Sequence, residues 1–207
     1  MSADEPHDKT GKTIGPWRVT AERAAFDNPW INLIDCRVIH PDGSPGEYGV
    51  VRFKNRAVGV LPIGADGTVT LVGQHRFPLD RYSWELPEGG GPLHEDPLAA
   101  AKRELAEETG FAARSWLELS RFDISNSVTD EQAVCYLAWD LETGPAAPEP
   151  SEALSLKTVS FKTLLDMVMS GEITDSLTIV MTLTAYAKAL RGEAPAPICK
   201  HIVEACG

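Results

Sequence analysis

The sequence predicts an α/β fold on three observations. Short apolar stretches rich in β-branched residues recur along the chain and are separated by turn-forming Gly, Pro and Asp residues. Residues 97–109 have the periodicity and end signals of an amphipathic helix, and a second long helical pattern covers residues 176–190. With 207 residues, the chain is long enough to bury one full core and still carry a small additional element.

The first predicted strands lie near the N-terminus. Residues 31–40 and 48–54 are apolar and partly alternating, as strands with one buried face are. The Pro- and Gly-rich segment 41–46 separates them and predicts a turn. We therefore expect an antiparallel sheet within residues 17–56.

A β-hairpin is predicted next. Residues 57–63 and 68–74 are apolar, and they flank Gly64-Ala65-Asp66-Gly67, whose Asp-Gly pair favours a tight hairpin turn. A further short strand at residues 82–86 leads into the loop that precedes the first helix.

The first helix is delimited by its own capping residues. Asp96 is a favourable N-cap and Pro97 a favourable first helical residue. Gly110 can take the left-handed conformation that ends a helix. An apolar stripe, which predicts the face packed on a sheet, is formed by Leu98, Ala101 and Leu105.

Three glutamates lie beside that apolar stripe. At about 100° per residue, Glu104, Glu107 and Glu108 share an arc of roughly 100° on the helix surface. Negative charge is unfavourable in the C-terminal half of a helix, and Glu104 and Glu108 repel each other at i,i+4 spacing. A bound cation would reverse this penalty, and Mg²⁺ prefers carboxylate oxygens. The pattern therefore predicts a metal site.

Three strands and two helices are predicted after this helix. The strands are residues 117–124, 133–139 and 154–161, and the first of the two helices is 162–169. A surface loop rich in Pro and Ala is expected at 144–150. Asp175 can cap the last predicted helix, which runs from Ser176 to about Leu190.

Residues 89–111 carry a spaced pattern of Gly, Glu and Arg. Its fixed positions are Gly89, Glu95, Arg103, Glu104, Glu107, Glu108 and Gly110, with bulky apolar residues at Leu105 and Phe111. The pattern resembles the box of the Nudix superfamily, Gly-x5-Glu-x7-Arg-Glu-U-x-Glu-Glu-x-Gly-U. This resemblance implies an α/β/α sandwich with a mixed sheet, in which the box forms a loop-helix-loop. It also implies hydrolysis of a nucleoside diphosphate linked to another group, with Mg²⁺, or Mn²⁺ as a substitute.

The same resemblance assigns roles within the box. Glu104 and Glu108 match the family's core metal ligands, Glu107 matches a third, and the backbone carbonyl of Glu88 matches a further one. Arg103 lies at i,i+4 from Glu107, within reach of an ion pair. We expect Arg103 to orient a box glutamate rather than to contact the substrate.

Residues that flank the box make the chain resemble one branch of the superfamily in particular. Gln74-His75-Arg76 and the segment Trp84-Glu85-Leu86-Pro87-Glu88-Gly89 are similar to motifs of the ADP-ribose pyrophosphatase branch. Residues 124–131 depart from that branch, because they lack its Ser-Pro-Gly loop. ADP-ribose is thus the first candidate substrate, and nucleoside diphosphate sugars or dinucleotides are the alternative. From another class, a non-catalytic Nudix domain could act as a nucleotide sensor.

The general base of that branch is a glutamate in a loop beyond the box helix. The corresponding position here is close to Glu152, with Glu149 and Glu131 as alternatives. Arg76 and Arg52 are candidates for the substrate's phosphates, because a guanidinium matches phosphate oxygens bidentately.

Glu85 is a candidate for a terminal ribose or sugar hydroxyl of the substrate. The alternative is a purely structural hydrogen bond.

Charge and composition exclude several partners. The net charge of −11 disfavours a nucleic acid polymer as substrate. No run of 18 apolar residues predicts a membrane span, and the first residues lack the features of a signal peptide, so we expect a cytoplasmic protein.

We expect four segments along the chain. Residues 1–15 form a flexible N-terminus, 16–56 the N-terminal antiparallel strands, 57–195 the Nudix domain and 196–207 a C-terminal tail. The N-terminal strands often build a homodimer in the family that the chain resembles, and a homodimer is therefore expected here.

Overall fold

The computed structural model describes residues 8–9, 11–144 and 153–206. Its contacts divide the chain into two compact units. The first unit contains the residues up to Asn55 together with Asp123–Glu131. The second contains Arg56–Phe122 and the residues from Gln132 onward.

The first unit is built on an antiparallel sheet. Its strands are β1 (Asp8–Lys9), β2 (Thr13–Ile14), β3 (Trp17–Asp27), β4 (Ile31–Ile39) and β5 (Pro45–Phe53). They follow the order β1-β3-β4-β5, and β2 also pairs with β3. Val19, Cys36 and Val38 form a small buried cluster on one face. The predicted strands 31–40 and 48–54 are confirmed as β4 and β5, whereas the sequence pattern does not indicate β3 as a separate strand.

The segment that follows residue 123 also belongs to the first unit. Val51 forms a parallel bridge with Thr129, and the Asp130 carboxylate accepts a hydrogen bond from the backbone N–H of Phe53 at 2.9 Å. Tyr48 donates its hydroxyl to the carbonyl of Ser127. This segment lies within the range 57–195 predicted for the Nudix domain, but it packs against β5 of the N-terminal sheet.

In the part of the second unit that the structure describes there are two sheets and four helices. The four-stranded sheet has the order β10 (Phe111–Asp123), β11 (Gln132–Thr143), β6 (Asn55–Pro62) and β9 (Glu88–Pro92). The three-stranded sheet has the order β12 (Ser155–Ser160), β7 (Thr68–Arg76) and β8 (Arg81–Glu85). The helices are α1 (Pro97–Thr109), α2 (Phe161–Met169), α3 (Ser176–Leu190) and α4 (Ala196–Cys206).

The central strands β6 and β11 have a helix packed on each face. These two strands are parallel, and Val58 and Val60 on β6 pack in one cluster with Leu105 of α1. Gly59 points the other way, because a Cβ added there would lie 2.7 Å from the terminal methyl of Met181 on α3. The sheet therefore lies between α1 and α3, which confirms the predicted α/β sandwich with a mixed sheet.

The predicted hairpin is wrong beyond its turn. Gly67 has φ of +79° and its N–H donates to Gly64 at 2.9 Å, as an Asp-Gly turn requires. The strands then diverge, since β6 joins the four-stranded sheet and β7 the three-stranded one. Near the turn they are joined by an isolated bridge between Ile63 and Val69 and by the N–H of Gly64, which donates to the carbonyl of Thr68 at 2.9 Å. The local signal identified the turn but carried no information on which sheet each strand joins.

Two elements of the second unit were missed. β9 is rich in glycine and contains Pro92, a composition that does not indicate a strand. Residues 196–207 are predicted to be a C-terminal tail, but they contain α4, which buries Ile198 and Ile202. Within the described residues, no helix is both long enough and apolar enough to cross a membrane.

Candidate active site

Helix α1 brings its glutamates to one place because its apolar face is fixed. Ala101 and Leu105 are fully buried against the four-stranded sheet. The helix begins after Asp96, whose side chain makes no capping hydrogen bond, and ends at Gly110 with φ of +74°. These limits match the prediction from the sequence.

Glu108 and Glu104 lie against the first two residues of β9, Glu88 and Gly89. Glu108 is buried, and its Oε2 accepts a hydrogen bond from the backbone N–H of Glu88 at 3.0 Å. A Cβ added at Gly89 would lie 2.2 Å from Cδ of Glu104, so the Glu104 carboxyl group fills the space that a side chain would need. Glycine at position 89 thus allows two carboxylates and the Glu88 main chain to gather.

Arg103 neutralises the outer carboxylates of the helix. Its Nη1 lies 2.8 Å from Oε1 of Glu104 and 2.8 Å from Oε2 of Glu107. Its Nη2 donates to the carbonyl of Gly90 at 3.0 Å and lies 3.8 Å from Glu95 Oε2. Burial lowers the pKa of Arg103, but the neighbouring carboxylates outweigh it and raise that pKa above the ordinary value. The contact with Glu107 is the i,i+4 ion pair that the spacing predicts.

A second ionic cluster lies at the end of β7. Nε of Arg76 donates to both carboxylate oxygens of Glu85, at 3.0 and 3.1 Å, and Nη2 lies 2.7 Å from Glu88 Oε1. Burial opposes the charge of Arg76, yet Glu85 and Glu88 raise its pKa above the ordinary value. Arg76 and Glu85, which we predict to bind substrate, therefore lie side by side and contact each other.

Asp175 joins this cluster from the start of α3. Carboxylate oxygens of Glu85, Glu88 and Asp175 lie within 4.8 Å of one another. The pKa of Glu88 is well above its usual range because the group is buried and because Asp175 and Glu85 are negative neighbours. The sequence signal at Asp175 was its helix-capping position, which gave no indication of the neighbouring carboxylates.

A cavity of about 330 Å³ opens beside these residues. Its lining combines the charged cluster with hydroxyl groups and apolar side chains: Arg76, Pro78, Leu79, Ser83, Glu85, Glu88, Thr174, Asp175 and Ser176. Such a mixture can bind a small polar molecule by hydrogen bonds and by contact with apolar surface.

The donor set at α1 fits a hard divalent cation. Glu104 and Glu108 supply carboxylate oxygens, and the close approach at Gly89 brings the Glu88 main chain beside them. An arginine contacts each group, since Arg103 contacts Glu104 and Glu107 just as Arg76 contacts Glu85 and Glu88. Glu85, Glu88 and Asp175 are therefore a second group of carboxylates that could hold a divalent cation.

The remaining candidate residues are distributed over the chain. Arg52 lies in the first unit, where its Nη1 is 3.0 Å from Asp130 Oδ2. Glu131 lies in the same unit, and burial raises its pKa. Glu152 and Glu149 fall outside the described residues.

Comparisons with known proteins find two matching domains and several relatives. Residues 53–174 match the NUDIX domain, and residues 17–51 match the nucleoside diphosphate sugar hydrolase N-terminal domain. An ADP-ribose pyrophosphatase of Bacillus subtilis (strain 168) is 30% identical over 163 residues, covering 78% of this chain and 88% of that protein. An ADP-sugar pyrophosphatase of Mus musculus is 28% identical over 206 residues, covering 90% and 93%.

The fold has a counterpart among solved structures. A crystal structure described as an ADP compounds hydrolase superposes with a TM-score of 0.77 over 88% of this chain and 100% of that chain. At 17% identity, this likeness shows that the fold is shared.

Proposed function

The chain belongs to the Nudix family, and from that premise we propose that it hydrolyses the pyrophosphate bond of a nucleoside diphosphate derivative. ADP-ribose is the first candidate substrate, with AMP and a sugar phosphate as products. The observation that carries the proposal is the meeting of Glu104 and Glu108 with the Glu88 main chain. Relatives named ADP-ribose pyrophosphatase and ADP-sugar pyrophosphatase support the substrate class.

The proposed metal ligands are Glu104, Glu108, Glu107 and the Glu88 carbonyl. Mg²⁺ bound there, or Mn²⁺ in its place, would neutralise phosphate charge and lower the pKa of a bound water. Arg103 holds Glu104 and Glu107 in place through its two short contacts. Because these carboxylates are oriented before the substrate arrives, little reorganisation is needed when charge develops on the phosphate oxygens.

The proposed general base is Glu152, with Glu149 and Glu131 as alternatives. A base has to reach the attacking water, accept its proton and leave the metal ligands undisturbed. A glutamate beyond the box helix meets the last condition, because it is separate from the carboxylates on α1.

The proposed substrate contacts are Arg76, Glu85 and Arg52. Arg76 carries a delocalised charge that suits phosphate oxygens, and it contacts Glu85 and Glu88 directly. Glu85 is a hydrogen-bond acceptor for a sugar hydroxyl at the cavity beside Arg76. Both residues border the same cavity, so a phosphate and its attached sugar could be bound together there.

We also propose a cytoplasmic homodimer whose N-terminal strands form the dimerisation element, with residues 57–195 as the catalytic domain. The match of residues 17–51 to a separate N-terminal domain supports this division. Sedimentation of the purified chain as a monomer at micromolar concentration would contradict the dimer. Recovery of the protein outside the cytoplasm on cell fractionation would contradict the location.

The test is AMP release from ADP-ribose by the purified chain, with Mg²⁺ and with a chelator. We expect turnover only with metal, and we expect Glu108→Gln to lower kcat about 10³-fold, because each tenfold loss corresponds to about 1.4 kcal/mol and a metal supplies several kcal/mol. Glu118→Gln, which removes an equal charge from a side chain 44% exposed on β10, should keep normal turnover. Normal turnover by Glu108→Gln would refute the metal assignment.

A second candidate substrate is a nucleoside diphosphate sugar. The match of residues 17–51 to the nucleoside diphosphate sugar hydrolase N-terminal domain favours it. ADP-glucose and GDP-mannose, assayed in parallel with ADP-ribose, distinguish the two by their kcat/KM values. Tight binding of ADP-ribose without release of AMP would instead identify a nucleotide sensor.

A further inference from the structure

A buried hydroxyl on α3 holds the chain just before the candidate metal site. Oγ1 of Thr178 accepts a hydrogen bond from the backbone N–H of Leu86 at 2.8 Å. Thr178 and Leu86 are both 0% exposed, so water cannot replace either partner. A buried N–H without an acceptor is costly, and this contact therefore fixes the main chain at Leu86.

Thr178 is itself fixed by the start of its helix. Its backbone N–H donates to Oδ2 of Asp175, the N-cap of α3, at 2.7 Å. This cap orders the first turn of α3, from which the Thr178 hydroxyl projects, and makes that hydroxyl a rigid anchor.

Three successive main-chain groups after β8 have tertiary partners. Leu86 donates to Thr178, the carbonyl of Pro87 accepts from the N–H of Val60 at 2.8 Å, and Glu88 donates to Glu108 at 3.0 Å. The first two contacts hold the segment between α3 and the central strand β6. The third aligns it with a proposed metal ligand, and the Glu88 carbonyl is proposed as another ligand.

We propose that Thr178 is a positioning residue for the metal site: its hydroxyl, through Leu86, sets the place of the Glu88 main chain relative to Glu104 and Glu108. The inference rests on the proposed function, because it assumes that the metal binds at these glutamates. The backbone N–H of Thr178 donates to Asp175 of the cavity lining, and a side-chain substitution leaves that donor in place. The Thr178 hydroxyl contacts the Leu86 main chain, so its own effect is exerted through the segment that Leu86 begins.

The test measures Mn²⁺ binding directly, by electron paramagnetic resonance of free Mn²⁺, on the full chain without substrate. Thr178→Val keeps the shape and β-branching of the side chain but removes the acceptor, and we expect the Mn²⁺ dissociation constant to rise about tenfold or more. Thr178→Ser keeps the hydroxyl and should bind Mn²⁺ within twofold of the unmodified protein.

The matched control is Thr182→Val. Thr182 is also 0% exposed on α3, but its hydroxyl bonds within the helix and not to the Leu86 segment. Any loss of stability from a missing buried hydroxyl appears in this variant too, and its melting temperature records that loss. We expect its Mn²⁺ affinity to be unchanged.

The outcomes separate the two proposals. Unchanged affinity in Thr178→Val, or an equal loss in Thr182→Val, overturns the positioning role while leaving the metal site intact. If the unmodified protein and Glu108→Gln bind Mn²⁺ equally, the metal assignment fails, and the positioning role fails with it. Weaker binding in Thr178→Val alone, rescued by Thr178→Ser, supports the proposal.

Discussion

Arg76 holds both carboxylate oxygens of Glu85. Nε of Arg76 lies 3.0 Å from Oε1 and 3.1 Å from Oε2, and its Nη2 lies 2.5 Å from Oε2. The side chain of Glu85 is 3% exposed, whereas that of Arg76 is 35% exposed. The arginine therefore places its positive charge against a buried carboxylate of the second unit.

The first prediction follows from that burial. Arg76→Met should lower the free energy of unfolding by about 3–5 kcal/mol, because it leaves Glu85 buried without its partner. Urea unfolding at pH 7 measures the change. Arg114→Met is the matched control: its side chain is 76% exposed and pairs with Glu142, so a change within about 0.5 kcal/mol is expected.

The double variant Arg76→Met with Glu85→Gln separates charge from packing. Removing both charges should recover part of the lost stability, so the two effects should be clearly non-additive. Additive losses would mean that Arg76 and Glu85 do not depend on each other. They would also mean that the arginine can leave Glu85 for a substrate phosphate at little cost.

The local signals of the sequence predicted helix α1 better than they predicted the sheets. Asp96, Pro97 and Gly110 act within one helix, so their spacing alone locates α1 and its glutamates. The separation of β6 from β7 depends on partners far along the chain, since β6 pairs with β11 and β7 with β12. No short pattern at residues 57–74 carries that information.

Long-range contacts also explain what was missed at the site. Asp175 has the local signature of an N-cap, and that prediction is confirmed by its hydrogen bond to the N–H of Thr178. Its closeness to Glu85 and Glu88 arises from packing of α3 beside the end of β8, which spacing cannot show. The contact of Thr178 with Leu86 arises in the same way.

The second prediction concerns the general base. Glu152→Gln should lower kcat with ADP-ribose by about 10²–10⁴-fold, the usual contribution of a general base, while the half-saturating Mg²⁺ concentration stays unchanged. Glu149→Gln, close by in the sequence, is the comparison and should retain activity. A full rate in Glu152→Gln with a large loss in Glu149→Gln or Glu131→Gln would move the role to that residue.

The third prediction is a pH dependence of stability at Glu131. Burial raises the pKa of this carboxyl in the folded protein above its ordinary value. At pH values between the Glu131 pKa of the unfolded chain and the raised pKa of the folded protein, the folded state binds more protons than the unfolded state. The free energy of unfolding therefore falls as pH rises through that window. Glu131→Gln removes this dependence and should gain stability relative to the unmodified protein as pH increases from about 4 to 7.

Urea unfolding at several pH values measures whether the stability of Glu131→Gln, relative to the unmodified protein, rises with pH. Glu172→Gln serves as the control, because Glu172 is exposed and its loss changes the net charge equally. Its stability difference from the unmodified protein should vary little with pH. A constant difference for Glu131→Gln as well would show that the carboxyl titrates alike in the folded and unfolded chains.

The fourth prediction uses the close approach of Glu104 to Gly89. A methyl group at position 89 would lie 2.2 Å from the carboxyl carbon of Glu104, whose flexible side chain can move away. Gly89 is not among the glycines with positive φ, so Gly89→Ala should cost little stability. Because the displaced carboxylate is a proposed metal ligand, we expect kcat/KM to fall about 10–100-fold and Mn²⁺ binding to weaken similarly.

Gly49→Ala provides the control, since a Cβ at Gly49 on β5 would meet no atom within 4 Å. That variant should match the unmodified protein in Mn²⁺ affinity and turnover. Equal melting temperatures for the two variants, with activity lost only in Gly89→Ala, would tie the loss to the position of Glu104. Full activity in Gly89→Ala would instead show that the enzyme tolerates displacement of this carboxylate, and Glu104 could then not be a metal ligand.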